Sequence, residues 1–422
     1  MNSLTKVYKK FMADSLFRNS IYLMASTVVM AGFGFFFWMI NARLYTAEEI
    51  GLGSTLISVI TLITTISMLG LNATIIRYLP TSKHKNREIN TAFTISTLTA
   101  IIISSIFLLG LHIFSPKLIF IKNNLYYSIF FIISMVFMTY FSLIESIFIA
   151  LRSAQNILVK NTVFSILKLI LPFALFTFGA MGIFGSWTIA GAIGYFSAVI
   201  ILIWRFGYKF ERVIHDTVVK KIAVYSLGNY IAGFISNLPI MILPLMITNL
   251  LSPETTAYYY MAMMIANLLF VIPTAVTSSL FAEGSFNIRH LSSQIRKTVK
   301  TIALILIPAI LIIVFFGKYL LLLFGKSYSI EGFRFLQLIS ISGIFIATNS
   351  IFNTLLKLRN QIKQLIIINS FGSVIIIGLS YLMISNQLAG IGLAWGLGQA
   401  VILFIYIAFF WYQKSKNTYT HI

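Results

Sequence analysis

Apolar residues in this chain come in runs of about 20 or more, broken by short stretches that carry charges, Gly or Pro. Twelve such runs fall at Ser20–Ile40, Ile50–Tyr78, Ile89–Phe114, Leu125–Ala150, Val159–Phe178, Ile183–Trp204, Ile222–Leu250, Ala257–Ala282, Val299–Phe316, Phe333–Leu356, Leu365–Ile384 and Leu388–Trp411. About 20 apolar residues of helix cross the hydrocarbon core of a bilayer, so each run predicts one membrane span. Runs nearer 28 residues allow tilt, or helix extending beyond the bilayer. The stretch MNSLTKVYKKFMADSLFRN before the first run is basic and mixed, and no small-residue cleavage site follows. That predicts a first membrane helix, not a removed signal peptide.

Composition agrees: 59% of residues are hydrophobic and 10% charged, whereas a soluble domain carries about 25% charged residues. The connections are too short for an independent domain, and no GxxxxGK[ST] phosphate loop occurs. With no cysteine, disulfides, thiolate metal sites and cysteine nucleophiles are excluded. The five histidines are scattered, and His215–Asp216 is an isolated pair. No metal, cofactor or acid–base cluster is expected, so a membrane enzyme is disfavoured.

Charge supplies orientation. Lys and Arg number 31 against ten Asp and Glu, a net +21. With the N-terminus inside, 24 cations fall in cytoplasmic segments and six outside, and Lys168 is left within a span. This positive-inside asymmetry predicts that both termini are cytoplasmic in a multi-pass protein of the cell membrane. The same split removes the nucleic-acid reading, because the basic excess is spread over short loops along one membrane face, where it suits anionic membrane lipids.

An offset near half the chain length tests for duplication. Leu44–Glu48 aligns with Leu250–Glu254 at offset 206, Ser146–Phe148 with Ser350–Phe352 at 204, and Gly185 and Gly191 with Gly390 and Gly396 at 205. The expected architecture is all-α: twelve helices in two parallel-repeat lobes, residues 1–212 and 213–422, with a cleft between them. Two such lobes that rock make a carrier.

The same residues carry a family resemblance. Leu44-Tyr-Thr-Ala-Glu-Glu-Ile-Gly51 resembles the Leu-Leu-Thr-Pro-Glu-Glu-Tyr-Gly signature of prokaryotic oligosaccharide-lipid flippases. Leu69-Gly-Leu-Asn-Ala-Thr-Ile-Ile-Arg-Tyr-Leu-Pro80 is similar to the segment ending their second helix. Phe324-Gly-Lys-Ser-Tyr328 is similar to the element before their tenth helix, and Gly390-Ile-Gly-Leu-Ala-Trp-Gly396 to the start of their last. The superfamily also holds multidrug extruders and lipid II flippases. The resemblance implies two six-helix lobes forming a V, and export of a polyprenyl-(pyro)phosphate-linked oligosaccharide to the outer leaflet for surface polysaccharide or glycan biosynthesis. A polysaccharide polymerase or glycosyltransferase is a candidate partner. The alternative is a cation-coupled extruder of multiple drugs or small molecules. Such extruders typically carry an acidic residue within the first helix, which Ser20–Ile40 lacks, and lipid II flippases have two further helices for which this chain has no residues.

Such a cargo asks for cations at its phosphate and for amides and hydroxyls at its glycan. Lys168 is the leading cation, since a mid-span lysine faces the protein interior or water. Glu145 in the preceding span is expected within reach of it, either as a structural ion pair or as a coupling carboxylate facing a cavity cation. Arg77 and Arg152 near cytoplasmic span ends, and Arg43 at the outer end of span 1, are phosphate candidates or plain orientation anchors. Among the amides within spans (Asn72, Asn237, Asn267, Asn349, Asn353, Asn369 and Gln399), the resemblance favours Asn72 and Asn237 as cleft residues.

Overall fold

The computed structural model describes residues 15–211, 227–286 and 291–419, with no strand among them. Among the described residues, twelve helices are long and apolar enough to cross a membrane. They are α1 (Ser15–Leu44), α2 (Ala47–Met68), α3 (Lys85–Leu109), α4 (Leu125–Ala150), α5 (Ala154–Leu175), α6 (Ala180–Phe206), α7 (Leu227–Leu250), α8 (Pro253–Phe286), α9 (Leu291–Leu322), α10 (Phe333–Leu358), α11 (Ile362–Leu382) and α12 (Gln387–Tyr419). The expected start of span 7, the expected lobe boundary at residues 212–213, and His215 with Asp216 lie outside the described residues.

One expected span is broken. Residues 50–78 read as one apolar run, yet α2 stops at Met68 and a separate helix, Leu71–Tyr78, follows. Leu69 and Gly70 between them both hold left-handed backbone, with φ of 46° and 79°. Glycine takes that conformation without a Cβ clash, and hydropathy does not register it. Pro80 then falls in the 3-10 turn Leu79–Thr81, where its missing N–H breaks no helix bond.

Contacts divide the chain into two compact units, Met1–Ile231 and Ala232–Ile422. In the N-terminal unit α5 lies against α1 and α6, and α4 against α3 and α6, while α2 touches α3, α4 and α6. A core of Leu71, Ile75, Phe93, Ile144, Ile147 and Phe148 joins the short helix to α3 and α4. In the C-terminal unit α10 touches α8, α9 and α12, and α11 lies along α12. The pairs α2–α3, α2–α4, α3–α4, α4–α6 and α5–α6 recur as α8–α9, α8–α10, α9–α10, α10–α12 and α11–α12.

Individual contacts repeat as well. Thr46 caps α2 by accepting from the Glu49 N–H at 3.2 Å, and Ser252 accepts from the Thr255 N–H at 3.1 Å before α8, 206 positions on. The Ser165 hydroxyl reaches Met30 Sδ at 3.5 Å, and that of Ser373 donates to the Ser236 carbonyl at 3.1 Å. These positions are related by offsets of 208 in α5 and α11 and 206 in α1 and α7. A Cβ on Gly182 would lie 2.1 Å from the Leu175 carbonyl oxygen, and one on Gly390 2.0 Å from that of Met383, again 208 apart. Offsets of 204 and 205, drawn from Ser146 and Gly185, therefore miss the structural equivalence by about one helical turn. A shift of three or four residues keeps a side chain on the same helix face, so small-residue patterns match nearly as well one turn out of register.

Candidate substrate site

Helix α5 carries a polar line through an apolar sequence. Asn156, Lys160 and Lys168 stand at multiples of four along it, with Asn161 and Ser165 beside them, and all five are buried. Helix α1 covers this line in parallel alignment. The Ala154 N–H donates to Asn19 Oδ1 at 2.9 Å and Asn161 Nδ2 to Ser26 Oγ at 2.8 Å, and both pairs are 135 residues apart. Tyr45, beyond the end of α1, donates to the Pro172 carbonyl at 3.2 Å. Burial, with Glu49 adding, pushes its hydroxyl up to about 12, so the donor keeps its proton at physiological pH.

Lys168 is 1% exposed. Its ammonium lies 4.8 Å from the Phe164 ring centroid and 5.2 Å from that of Trp187 on α6. Gly34 of α1 faces it, with a Cβ there only 3.9 Å from Nζ. Ring faces attract a cation through their quadrupole but leave its N–H donors unfilled. Pro172, four residues on, lacks the N–H that would bond the Lys168 carbonyl. This one residue thus carries a cation and a carbonyl released from the helix ladder, inside a span.

The expected Glu145–Lys168 pair does not form. Glu145 Oε2 instead takes Lys160 Nζ at 3.2 Å, and Lys160 also donates to the Phe141 carbonyl at 3.0 Å and lies 3.3 Å from the Phe141 ring centroid. Helix arithmetic explains the correction. The turn after α4 falls at Leu151–Ser153, not at Ala154–Asn156. Glu145 and Lys160 then both stand about 8–9 Å from it, whereas Lys168 is about 21 Å into α5. The cytoplasmic count of 24 includes Lys160 at the edge of the Val159–Phe178 run, yet it is fully buried in α5. The tally becomes 23 cations against six, with two inside spans. The four-residue spacing of Asn156, Lys160, Phe164 and Lys168 was the available signal.

The other candidates are exposed. Arg43 lies at the end of α1, and Arg152 holds left-handed backbone (φ 51°) in the turn between α4 and α5. Arg77 stacks its guanidinium over Tyr78 at 5.5 Å. Asn72 accepts from the Ala73 N–H, and Asn237 donates to the Gly233 carbonyl on its own helix. In the C-terminal unit the amides that meet are others. Asn353 Oδ1 accepts from Tyr406 at 2.5 Å and from Asn369 at 3.1 Å, while Asn349 Nδ2 donates to Gln399 Oε1 at 2.9 Å. Tyr406 was not expected there, because an aromatic residue in an apolar run reads as a lipid-facing one. Among the described residues no cluster could hold a metal ion.

Comparison with known proteins places the chain in a family. A profile described as "Polysaccharide biosynthesis protein" matches residues 16–282, more than half of the chain. The chain belongs to this polysaccharide biosynthesis protein family. Comparison with curated proteins by sequence gives no match. Among solved structures, this family member is similar to the lipid II flippase MurJ in an inward closed conformation, with TM-score 0.76 and 12% identity over 92% of this chain and 87% of that one. It is similar to an inward-facing multidrug resistance MATE transporter of the MOP superfamily, with TM-score 0.63 and 14% identity over 96% of each chain. A MOP superfamily transporter from Pyrococcus furiosus gives TM-score 0.61 and 14% identity over 94% of each chain. At these identities the likeness is one of fold. The polysaccharide biosynthesis family member is a multi-pass membrane protein that shares the fold of these transporters.

Proposed function

We propose that this chain is a flippase that moves a polyprenyl-(pyro)phosphate-linked oligosaccharide from the cytoplasmic to the outer leaflet by alternating access, for a surface polysaccharide or glycan. The observation that carries the reading is Lys168, an ammonium buried in a span against two ring faces, with no carboxylate or hydrogen-bond partner among the described residues. Such a charge is expensive inside a membrane and is retained where an anion visits it. The family and the fold likeness to a lipid II flippase support the same direction. Arg43, Arg77 and Arg152 serve as further phosphate contacts in this reading, and membrane lipids surround the bundle.

Cells lacking the chain accumulate a lipid-linked sugar on the cytoplasmic face, and the intact gene clears it. Lys168→Ala is produced at the normal level yet fails to clear it, while Lys168→Arg retains part of the function. If no lipid-linked sugar accumulates, the reading fails. The second reading, a cation-coupled extruder, draws on Glu145, a carboxylate within a span whose side chain is 39% exposed. An export assay that responds neither to Glu145→Gln nor to imposed ion gradients removes it.

A further inference from the structure

Two cavities of about 300 and about 250 Å³ lie inside the C-terminal unit, and Ser350 and Asn353 line both. These two residues belong to a polar stripe on α10 (Asn349, Ser350, Asn353, Thr354 and Lys357), whose spacing puts them on one helix face. The stripe runs about 12 Å from Asn349 to Lys357. No acidic residue lines either cavity, and Lys357 stands at the rim of the larger one. Together they fall within the roughly 300–1,000 Å³ typical of small-molecule sites.

The N-terminal unit places a charge at the matching positions. At the offset of 208, Phe141 and Glu145 stand where Asn349 and Asn353 do, and there the Lys160 ammonium bonds both. In the C-terminal unit Ile368 takes the place of Lys160, so no charge closes the gap.

The walls offer both kinds of hydrogen-bonding group. Thr277, Ser278 and Thr354 donate their hydroxyls to carbonyls of their own helices at 2.7, 2.8 and 2.9 Å, which leaves their oxygens as acceptors. Asn349 and Trp395 are lining residues of the smaller cavity, and Asn349 Oδ1 and Trp395 Nε1, both buried, have no hydrogen-bond partner among the described residues. Both side chains are buried, 4% and 6% exposed. An orphaned acceptor and an orphaned donor bear their desolvation cost until a ligand or water completes them. A sugar hydroxyl or acetamido group donates and accepts at once, and a neutral wall suits it better than it suits a metal cation.

We propose that these two cavities form a track that holds the neutral sugars of the cargo, with Lys357 beside its phosphate. This rests on the flippase reading above. The test uses the full chain in nanodiscs, titrated with the lipid-linked oligosaccharide extracted from cells lacking the chain, and separately with bare undecaprenyl pyrophosphate. Trp395→Phe keeps an aromatic ring at the site and removes the N–H together with the five-membered ring, and Asn349→Leu removes the orphaned acceptor. Each weakens the glycan-bearing lipid about three- to tenfold and leaves the bare lipid within about twofold. Lys357→Ala weakens both lipids. Unchanged binding of the glycan-bearing lipid by Trp395→Phe and Asn349→Leu, or an equal loss for the two lipids, overturns the track and leaves the cavities to water. Should Asn349→Leu fail to fold, Trp395→Phe decides alone. If the wild-type chain binds neither lipid and does not restore export to the deletion cells, the flippase reading falls and the track falls with it.

Discussion

A lysine within a bilayer-spanning helix needs a carboxylate, a polar cavity or an aromatic face, and α5 shows a different solution at each of its two lysines. Lys160 has Glu145 and a backbone carbonyl; Lys168 has aromatic faces. The two members of the Lys160–Glu145 pair are unequally exposed, 0% against 39%, and that asymmetry predicts unequal mutational costs. Glu145→Ala strands a buried ammonium and costs about 3 kcal/mol. Lys160→Met leaves a carboxylate that turns to water and costs below about 1 kcal/mol. Thermal unfolding in detergent should rank the variants in that order, and the reverse order would place the burial on the other partner. Lys168 was legible in the sequence because charge inside a long apolar run stands out. Lys160 was not, since it is the second residue of the run that opens at Val159, whereas α5 begins five residues earlier, at Ala154.

At the level of elements, several motifs are plain helix mechanics. The Thr46–Glu49 pair is a capping box, with the Thr46 N–H returning to Glu49 Oε2 at 2.8 Å. The Phe324–Tyr328 motif contains Gly325 at φ 140° and opens the short helix Lys326–Glu331, within which Tyr328 is buried. The Gly-rich openings of α6 and α12 let each helix start against the carbonyl of the preceding one. Gly182→Ala and Gly390→Ala therefore force backbone apart and destabilise by about 1–3 kcal/mol or more. Gly378→Ala, with nothing within 4 Å of its Cβ inside α11, stabilises by about 0.5–1 kcal/mol through the unfolded chain. Unfolding midpoints of the three variants check the contrast. The break at Leu69–Gly70 escaped the hydropathy pattern because a left-handed kink changes direction without changing polarity.

For the whole molecule, loop charge predicts cytoplasmic termini, and the absence of cysteine makes that orientation directly testable. Single cysteines replacing the exposed Lys83 and Arg359 stay unlabelled by a membrane-impermeant thiol reagent added to intact cells, whereas those replacing Lys117 and Lys326 react. The opposite pattern would invert the topology. Twelve spans, their order and the existence of a repeat were determined by the sequence alone, because burial in lipid demands long apolar helices and short connections whatever the packing. Pairing was not. Which carboxylate meets which lysine, the true register of the repeat, and the amide-lined cavities of the C-terminal unit depend on where turns fall and how helix faces rotate. Differences of one turn, about 5.4 Å, leave the hydrophobic pattern nearly unchanged and move every polar contact. Only the tertiary structure resolves a displacement of that size.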